Sequence, residues 1–186
     1  MLIFSLLMIF FQKELTLYCC IFFLSINFLY SLFLKNIFFV EILIIAISYI
    51  TRIYASSFEA EIYLSFTMIA LIFMTVIFII SLKRKNEMLS SKVPRKSIRN
   101  VNLSFFTNLS LISYLSVILI YFYYSFIKES SMMITFIFFF LILTRFLLQF
   151  KKTNIQSPVI ILFKDKLLIL FCIIWTFLSF YVLYFR

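Results

Sequence analysis

Apolar runs of about 20 residues recur along the chain, and they constrain its fold more than any other feature. A run of that length crosses the roughly 30 Å hydrocarbon core of a bilayer as one α-helix. Of the 186 residues, 65% are hydrophobic and 13% are charged, whereas a soluble domain is about a quarter charged. A β-barrel needs alternating polar and apolar residues, and runs such as ITFIFFFLIL do not alternate. The sequence therefore predicts an all-α, polytopic transmembrane helical bundle.

The apolar runs define six full spans and one shorter segment, which gives a bundle of about six to seven helices. The N-terminal segment, residues 1–12, is too short for a comfortable span, and it lacks the basic start and the cleavage site of a signal peptide. Ser56 to Glu61 is expected to form a short acidic loop. We expect residues 1–186 to form a single transmembrane domain. The predicted spans are residues 15–34, 37–55, 62–82, 109–127, 132–150 and 167–184.

Lysine and arginine are distributed unequally between the two sides of this predicted topology. Lys35 and the basic loops 83–103 and 151–166 place twelve cations on one side, and three lie on the other. Such an excess marks the cytoplasmic side. The net charge of +10 is therefore explained by topology and by anionic headgroups of membrane lipids, not by nucleic acid as a partner.

Ionisable residues inside spans are costly in hydrocarbon and usually face a cavity or a partner. Glu41 and Arg52 share a helix face, but their spacing separates them by roughly 16 Å along the axis, too far for a direct pair. Arg52 and Arg145 lie near span ends, where arginine can also snorkel to the interface. Glutamate snorkels poorly, so Glu41 is a candidate for facing a polar cavity.

The longest polar segment, Ser81 to Asn102, holds seven of the seventeen Lys and Arg residues. It is either a topology signal alone or a binding segment for phosphate, to which Lys and Arg donate charge-assisted hydrogen bonds. Lys83 and Glu87 would share a face if the preceding helix continues. The chain has no His and no Gly, which removes the usual general base and glycine-rich phosphate loops.

Three segments carry polar residues in an ordered pattern. Residues 30–56, YSLFLKNIFFVEILIIAISYITRIYAS, contain a Tyr-Ser pair, a Leu-Lys pair, an acid that opens the next helix and a late Arg. Residues 81–89, SLKRKNEML, contain Lys-Arg-x-x-Glu, and residues 157–175, SPVIILFKDKLLILFCIIW, place an Asp before the last helix. Together they resemble the UbiA prenyltransferase superfamily, most closely its decaprenyl-phosphate phosphoribosyltransferase-like branch. The matching residues are Tyr30, Ser31, Leu34, Lys35, Glu41, Arg52, Lys83, Arg84, Glu87 and Asp165.

The resemblance implies an integral transferase of a bacterial cytoplasmic membrane, of the polyprenyl-phosphate phosphoribosyltransferase or prenyltransferase type. It implies polyprenyl phosphate as a partner and Mg²⁺ as a cofactor. The implied substrate-phosphate site consists of Lys35, Lys83, Arg84 and Glu87. The implied supporting polar positions are Tyr30, Glu41, Arg52 and Asp165. Of these, Asp165 would also help Glu87 to position substrate or metal.

The sequence departs from the family at its first Asp-rich motif, of the type NDxxDxxxD, which does not occur here. Glu41 also stands where the branch usually has Asp. No metal ligand can therefore be assigned from the sequence. We expect an incomplete UbiA-like bundle that lacks the first two helices of the family fold, with a separate polypeptide supplying them. The alternatives are a non-catalytic truncated homologue, a membrane scaffold or lipid-binding protein, and a small transporter.

Overall fold

Seven α-helices form the part of the chain that the computed structural model describes, which comprises residues 13–32, 37–90, 101–128, 132–152 and 158–184. No strand occurs in these ranges, and the all-α prediction is confirmed. In chain order the helices are α1 (Glu14–Leu32), α2 (Phe38–Ala60), α3 (Phe66–Ser90), α4 (Leu103–Lys128), α5 (Met132–Lys152), α6 (Pro158–Lys164) and α7 (Lys166–Tyr184).

Every helix except α6 is long and apolar enough to cross a membrane. Large apolar side chains such as Phe28, Ile112 and Phe177 are mostly exposed at the helix surfaces, as expected where the surrounding solvent is lipid. A helix satisfies its backbone hydrogen bonds within itself, which is what a hydrocarbon environment requires. The protein is thus a multi-pass helical membrane protein. The first predicted segment, residues 1–12, lies outside the described residues.

The predicted loop from Ser56 to Glu61 was wrong, because α2 continues to Ala60. The helix ends in a Schellman motif: the N–H of Glu61 donates to the carbonyl of Phe58, at 3.4 Å, and the N–H of Ile62 donates to that of Ser57, at 3.0 Å. Glu61 has the left-handed conformation, with φ 57°, which glycine usually adopts at this position. The chain contains no glycine, so a glutamate fills it.

The predicted basic loops were also partly wrong. α3 begins at Phe66 and continues to Ser90, so residues 83–90 are helical, and α4 already begins at Leu103. The extension of α3 is rich in Lys, Arg, Glu, Met and Leu, which are good helix formers. In the second basic loop α5 runs to Lys152, and residues 158–164 form α6, which starts with a proline at its first position, where the missing N–H has no helical partner in any case.

The chain divides into two compact units, residues 1–77 and 78–186, with the boundary inside α3. In the first unit, α1 and α2 pack against each other. In the second unit, α5 contacts α4, α6 and α7. The largest fully buried side chains of the second unit are apolar, among them Phe78, Phe106, Phe150 and Leu168. α5 is therefore the helix around which the second unit is assembled.

A chain of hydrogen bonds among α4, α5 and α7 supports this assembly. The indole N–H of Trp175 donates to the Tyr121 hydroxyl at 3.0 Å, and the hydroxyls of Tyr121 and Thr135 are 3.0 Å apart. Thr135 donates to the Met132 carbonyl at 2.6 Å, so Tyr121 must donate to Thr135. The Tyr121 ring also stacks on Phe139, with 4.1 Å between ring centroids. The polar groups of these side chains are thus satisfied inside an apolar bundle.

Candidate functional site

The end of α3 carries the Lys-Arg-x-x-Glu segment on continuous helix. Arg84 and Glu87 form an ion pair three residues apart, with side chains only 4% and 12% exposed. Lys83 is half-buried. α3 continues through these residues, which is the condition for Lys83 and Glu87 to share a helix face. The ion pair described for Glu87 is nevertheless with Arg84. The carboxylate thus holds the guanidinium in place by a pairing that suits positions three apart on a helix.

Asn86 attaches this end of α3 to the end of α5. It is buried, and its side-chain amide donates to the backbone carbonyl of Phe150 at 3.2 Å. Phe150 lies in the last turn of α5, where backbone carbonyls lack a partner within the helix. Asn86 supplies that partner. Sequence reasoning passed over Asn86, because nothing in its local pattern indicates a contact 64 positions away.

Asp165 lies between α6 and α7 and joins them to α5. Arg145 donates to its carboxylate through Nε at 2.7 Å and through Nη2 at 3.3 Å, and Gln149 donates at 2.8 Å. The same carboxylate caps α7 by accepting from the N–H groups of Leu167 at 3.1 Å and Leu168 at 3.4 Å. We call Asp165, Arg145 and Gln149 the Asp165 clamp. Arg145 therefore has a partner on the chain, and snorkelling is not needed to explain it.

The clamp also changes the acidity of Asp165. Hydrogen bonding from Arg145 lowers the pKa of this carboxyl below its usual range, and Gln149 adds to that effect, while burial opposes it. The charged form of Asp165 is thus favoured, as donors to a carboxylate dictate.

The supporting polar positions of the first unit lie between α1 and α2. Glu41 is 1% exposed, and the Tyr30 hydroxyl donates to its Oε1 atom at 3.3 Å. Arg52 is exposed and lies over the ring of Phe23, with 4.6 Å from its guanidinium carbon to the ring centroid. A cation over an aromatic face is attracted by the ring quadrupole. Tyr30 and Glu41, which the resemblance grouped, are in direct contact.

The other end of the α1–α2 pair holds a polar cluster that sequence reasoning missed. Lys13 and Glu61 form an ion pair of 2.5 Å, and Thr16 donates to Glu59 at 3.0 Å. The hydrogen bond from Lys13 lowers the pKa of Glu61. The partners are more than 40 positions apart, so only the packing of α1 on α2 reveals them.

Two of the three motif segments meet at one element. Asn86, within residues 81–89, contacts the end of α5 at Phe150, and Asp165, within residues 157–175, contacts it at Arg145 and Gln149. The stretch of α5 from Arg145 to Phe150 thus connects segments that lie far apart in the sequence. The third segment, residues 30–56, lies in the first unit. Lys35, which the resemblance placed in the phosphate site, lies outside the described residues.

Comparison with known proteins assigns no family: no protein-family model matches the chain, and no curated protein matches it. The resemblance to the UbiA superfamily rests on the three segments quoted above.

The described residues do not fit a Mg²⁺ site. No group of three or more metal-ligating side chains converges among them. Glu87 faces Arg84 and Asp165 faces Arg145, whereas Mg²⁺ needs oxygen ligands gathered at about 2.0–2.1 Å from the ion. Within the described ranges, Glu87 and Asp165 therefore each pair with an arginine, and Asp165 also caps α7.

Proposed function

We propose that the chain is the phosphate-handling subunit of a UbiA-like membrane transferase, of the polyprenyl-phosphate phosphoribosyltransferase or prenyltransferase type. In this proposal it acts with a separate polypeptide that supplies the Asp-rich motif. One observation carries the proposal: the segments 81–89 and 157–175 are attached to the same stretch of α5, by a buried hydrogen bond from Asn86 and by the part-buried ion pair of Asp165 with Arg145. These contacts bring two of the segments that carry the resemblance to one end of the bundle.

The chemistry proposed for this end of the bundle is the stabilisation of phosphate charge. Transfer would proceed by ionisation at an anomeric or allylic carbon: the bond from that carbon to pyrophosphate breaks, pyrophosphate leaves with the electron pair, and an acceptor oxygen, which belongs to polyprenyl phosphate in the phosphoribosyl case, bonds to the carbon. Positioned cations favour that charge separation. Glu87 already engages Arg84, so its role is to orient the guanidinium. Lys83, half-buried and adjacent to that pair, is the residue that we propose donates to a substrate phosphate oxygen.

Lys83→Gln is expected to weaken the binding of polyprenyl phosphate about tenfold, because one charge-assisted hydrogen bond contributes about 1.5 kcal/mol. The measurement is a titration of the protein in lipid nanodiscs by native mass spectrometry. Lys13→Gln is the matched control. Lys13 pairs with Glu61 in the first unit, so this substitution is expected to leave the affinity for polyprenyl phosphate unchanged. Equal affinity of Lys83→Gln and wild type, or equal binding of the uncharged polyprenol, would refute the proposed site.

A non-catalytic lipid-binding or scaffold protein is the second candidate, and one observation favours it. The three carboxylates that the resemblance highlights, Glu41, Glu87 and Asp165, each contact a Tyr or Arg side chain. Structural roles would account for all three contacts. This candidate expects binding of polyprenyl phosphate without transfer, so a transfer measurement separates it from the first.

A further inference from the structure

The short helix α6 is not explained by the proposed transferase function. It has seven residues, PVIILFK, and a helix of that length extends for only about 10 Å, a third of the hydrocarbon core. Nevertheless five consecutive residues are apolar. A segment too short to span and too apolar for water requires another environment.

The side chains of α6 have two different surroundings. Ile161 is 2% exposed and packs into the second unit, whereas Ile160 is 46% and Phe163 77% exposed. Positions three apart lie on the same helix face. If this face were exposed to water, the protein would lose about 25 cal/mol of hydrophobic stabilisation for each Å² of apolar surface. α6 therefore presents one apolar face outward while its opposite side holds it to the protein.

This apolar face is continuous with that of the transmembrane helix α7. The backbone bonds through Asp165 keep a helical spacing: its N–H donates to the Ile161 carbonyl at 3.2 Å, and its carbonyl accepts from the Ile169 N–H at 3.1 Å. Leu167 and Leu170 are exposed at the start of α7. Ile160, Phe163, Leu167 and Leu170 thus follow one another at intervals of three or four residues, so the lipid-facing surface of α7 extends onto α6.

Two exposed cations stand at the junction of the two helices. Lys164 ends α6 and Lys166 begins α7, on either side of Asp165. The Asp165 carboxylate is directed to Arg145 and Gln149, and the clamp fixes the junction to α5. We propose that α6 is an interfacial membrane anchor: Ile160 and Phe163 enter the acyl-chain region, and Lys164 and Lys166 bind the phosphates of anionic phospholipid headgroups. Apolar burial and lysine attraction to anionic lipid are the two contributions that hold such helices at a membrane surface.

The first test measures depth in the bilayer by spin labelling in vesicles of phosphatidylcholine and phosphatidylglycerol. A nitroxide is attached to Phe163→Cys in the full chain, with Cys19, Cys20 and Cys172 replaced by Ala. We expect relaxation by oxygen, which concentrates in lipid, to exceed relaxation by a water-soluble nickel complex. Asn102→Cys, an exposed polar position before α4, is the control, and there we expect nickel to dominate. A nickel accessibility at Phe163 equal to that at Asn102 would overturn the anchor.

The second test measures lipid selectivity with spin-labelled phosphatidylglycerol and phosphatidylcholine at the protein boundary. The double variant Lys164→Gln/Lys166→Gln is expected to reduce the preference for phosphatidylglycerol at least fivefold, since each lysine near an anionic surface contributes about 1 kcal/mol. Lys13→Gln is the control and should not change the preference. An unchanged preference in the double variant, or loss of the preference on addition of inorganic phosphate, would contradict headgroup binding. Neither test depends on transfer activity, so the anchor can fail or hold independently of the proposed transferase.

Discussion

Replacing Glu87 with Gln is expected to lower the free energy of unfolding by about 3 kcal/mol, because removing one partner of a buried ion pair leaves the other charge inadequately compensated. Arg84 and Glu87 expose only 4% and 12% of their side chains. Water therefore cannot take over the stabilisation of the guanidinium. The expected effect is large because Arg84 keeps its charge in the variant.

The measurement is reversible unfolding by SDS in mixed micelles, followed by circular dichroism. Lys83→Gln removes a neighbouring charge from a half-buried position and is expected to change stability by no more than about 0.5 kcal/mol. The double variant Arg84→Met/Glu87→Leu removes both charges and should recover most of the loss. If Glu87→Gln is as stable as Lys83→Gln, the pair does not stabilise the end of α3.

Replacing Asp165 with Asn is expected to cost about 2 kcal/mol, because the hydrogen bonds from Arg145 lose their charged acceptor. This expected loss of stability is smaller than that for Glu87→Gln, because the Arg145 side chain is 36% exposed and solvent screens part of its interaction with Asp165. Asn remains a good N-cap residue, so Asp165→Ala is expected to cost about 1 kcal/mol more through loss of the cap on α7. Equal stability of the Asn variant and wild type would show that the clamp holds α5 and α7 together without its charge.

The Asp165 clamp also predicts a pH dependence. Hydrogen bonding from Arg145 lowers the pKa of Asp165 in the folded protein, so folding favours the deprotonated form. Its stabilising contribution is fully present above the unfolded-state pKa, about 3.9 for Asp, and is lost as the pH falls through the lower folded-state pKa. We expect wild type to lose its stability advantage over Asp165→Asn below about pH 4. Lys13 also lowers the pKa of Glu61. The pH dependence of the Lys13→Gln variant therefore shows how much of the loss of stability in acid is due to Glu61 and not to Asp165.

The sequence was sufficient to predict the fold class, because each span is an apolar run and hydrophobic length determines whether a helix can cross a bilayer. Helix ends were less predictable. α2 continues to Ala60 because a Schellman motif closes it, and α3 continues to Ser90 because charged residues that favour helix follow its span. In both places, polar residues that were expected to form a loop lie within a helix.

The contacts of the candidate site were mostly beyond sequence reasoning. Arg84 and Glu87 are neighbours on one helix, so their pairing follows from helical spacing. Arg145 and Asp165 are 20 positions apart, and no local pattern connects them. Their contact depends on how α5 packs against α7. The resemblance singled out Asp165, but its contacts with Arg145 and Gln149, and that of Asn86 with Phe150, followed only from the placement of the helices.

The central claim, a transferase subunit that handles phosphate through Lys83, is tested most directly by transfer itself. The chain is isolated from the membranes of its own host in native lipid discs, with any polypeptide that accompanies it. Polyprenyl phosphate, Mg²⁺ and radiolabelled phosphoribosyl pyrophosphate are added, with a prenyl pyrophosphate as donor in a parallel assay. We expect lipid-extractable label with wild type and Lys13→Gln, and about a hundredfold less with Lys83→Gln, as for the loss of one group that stabilises transition-state charge. Absence of labelled lipid with either donor, or equal labelling by Lys83→Gln, would contradict the account.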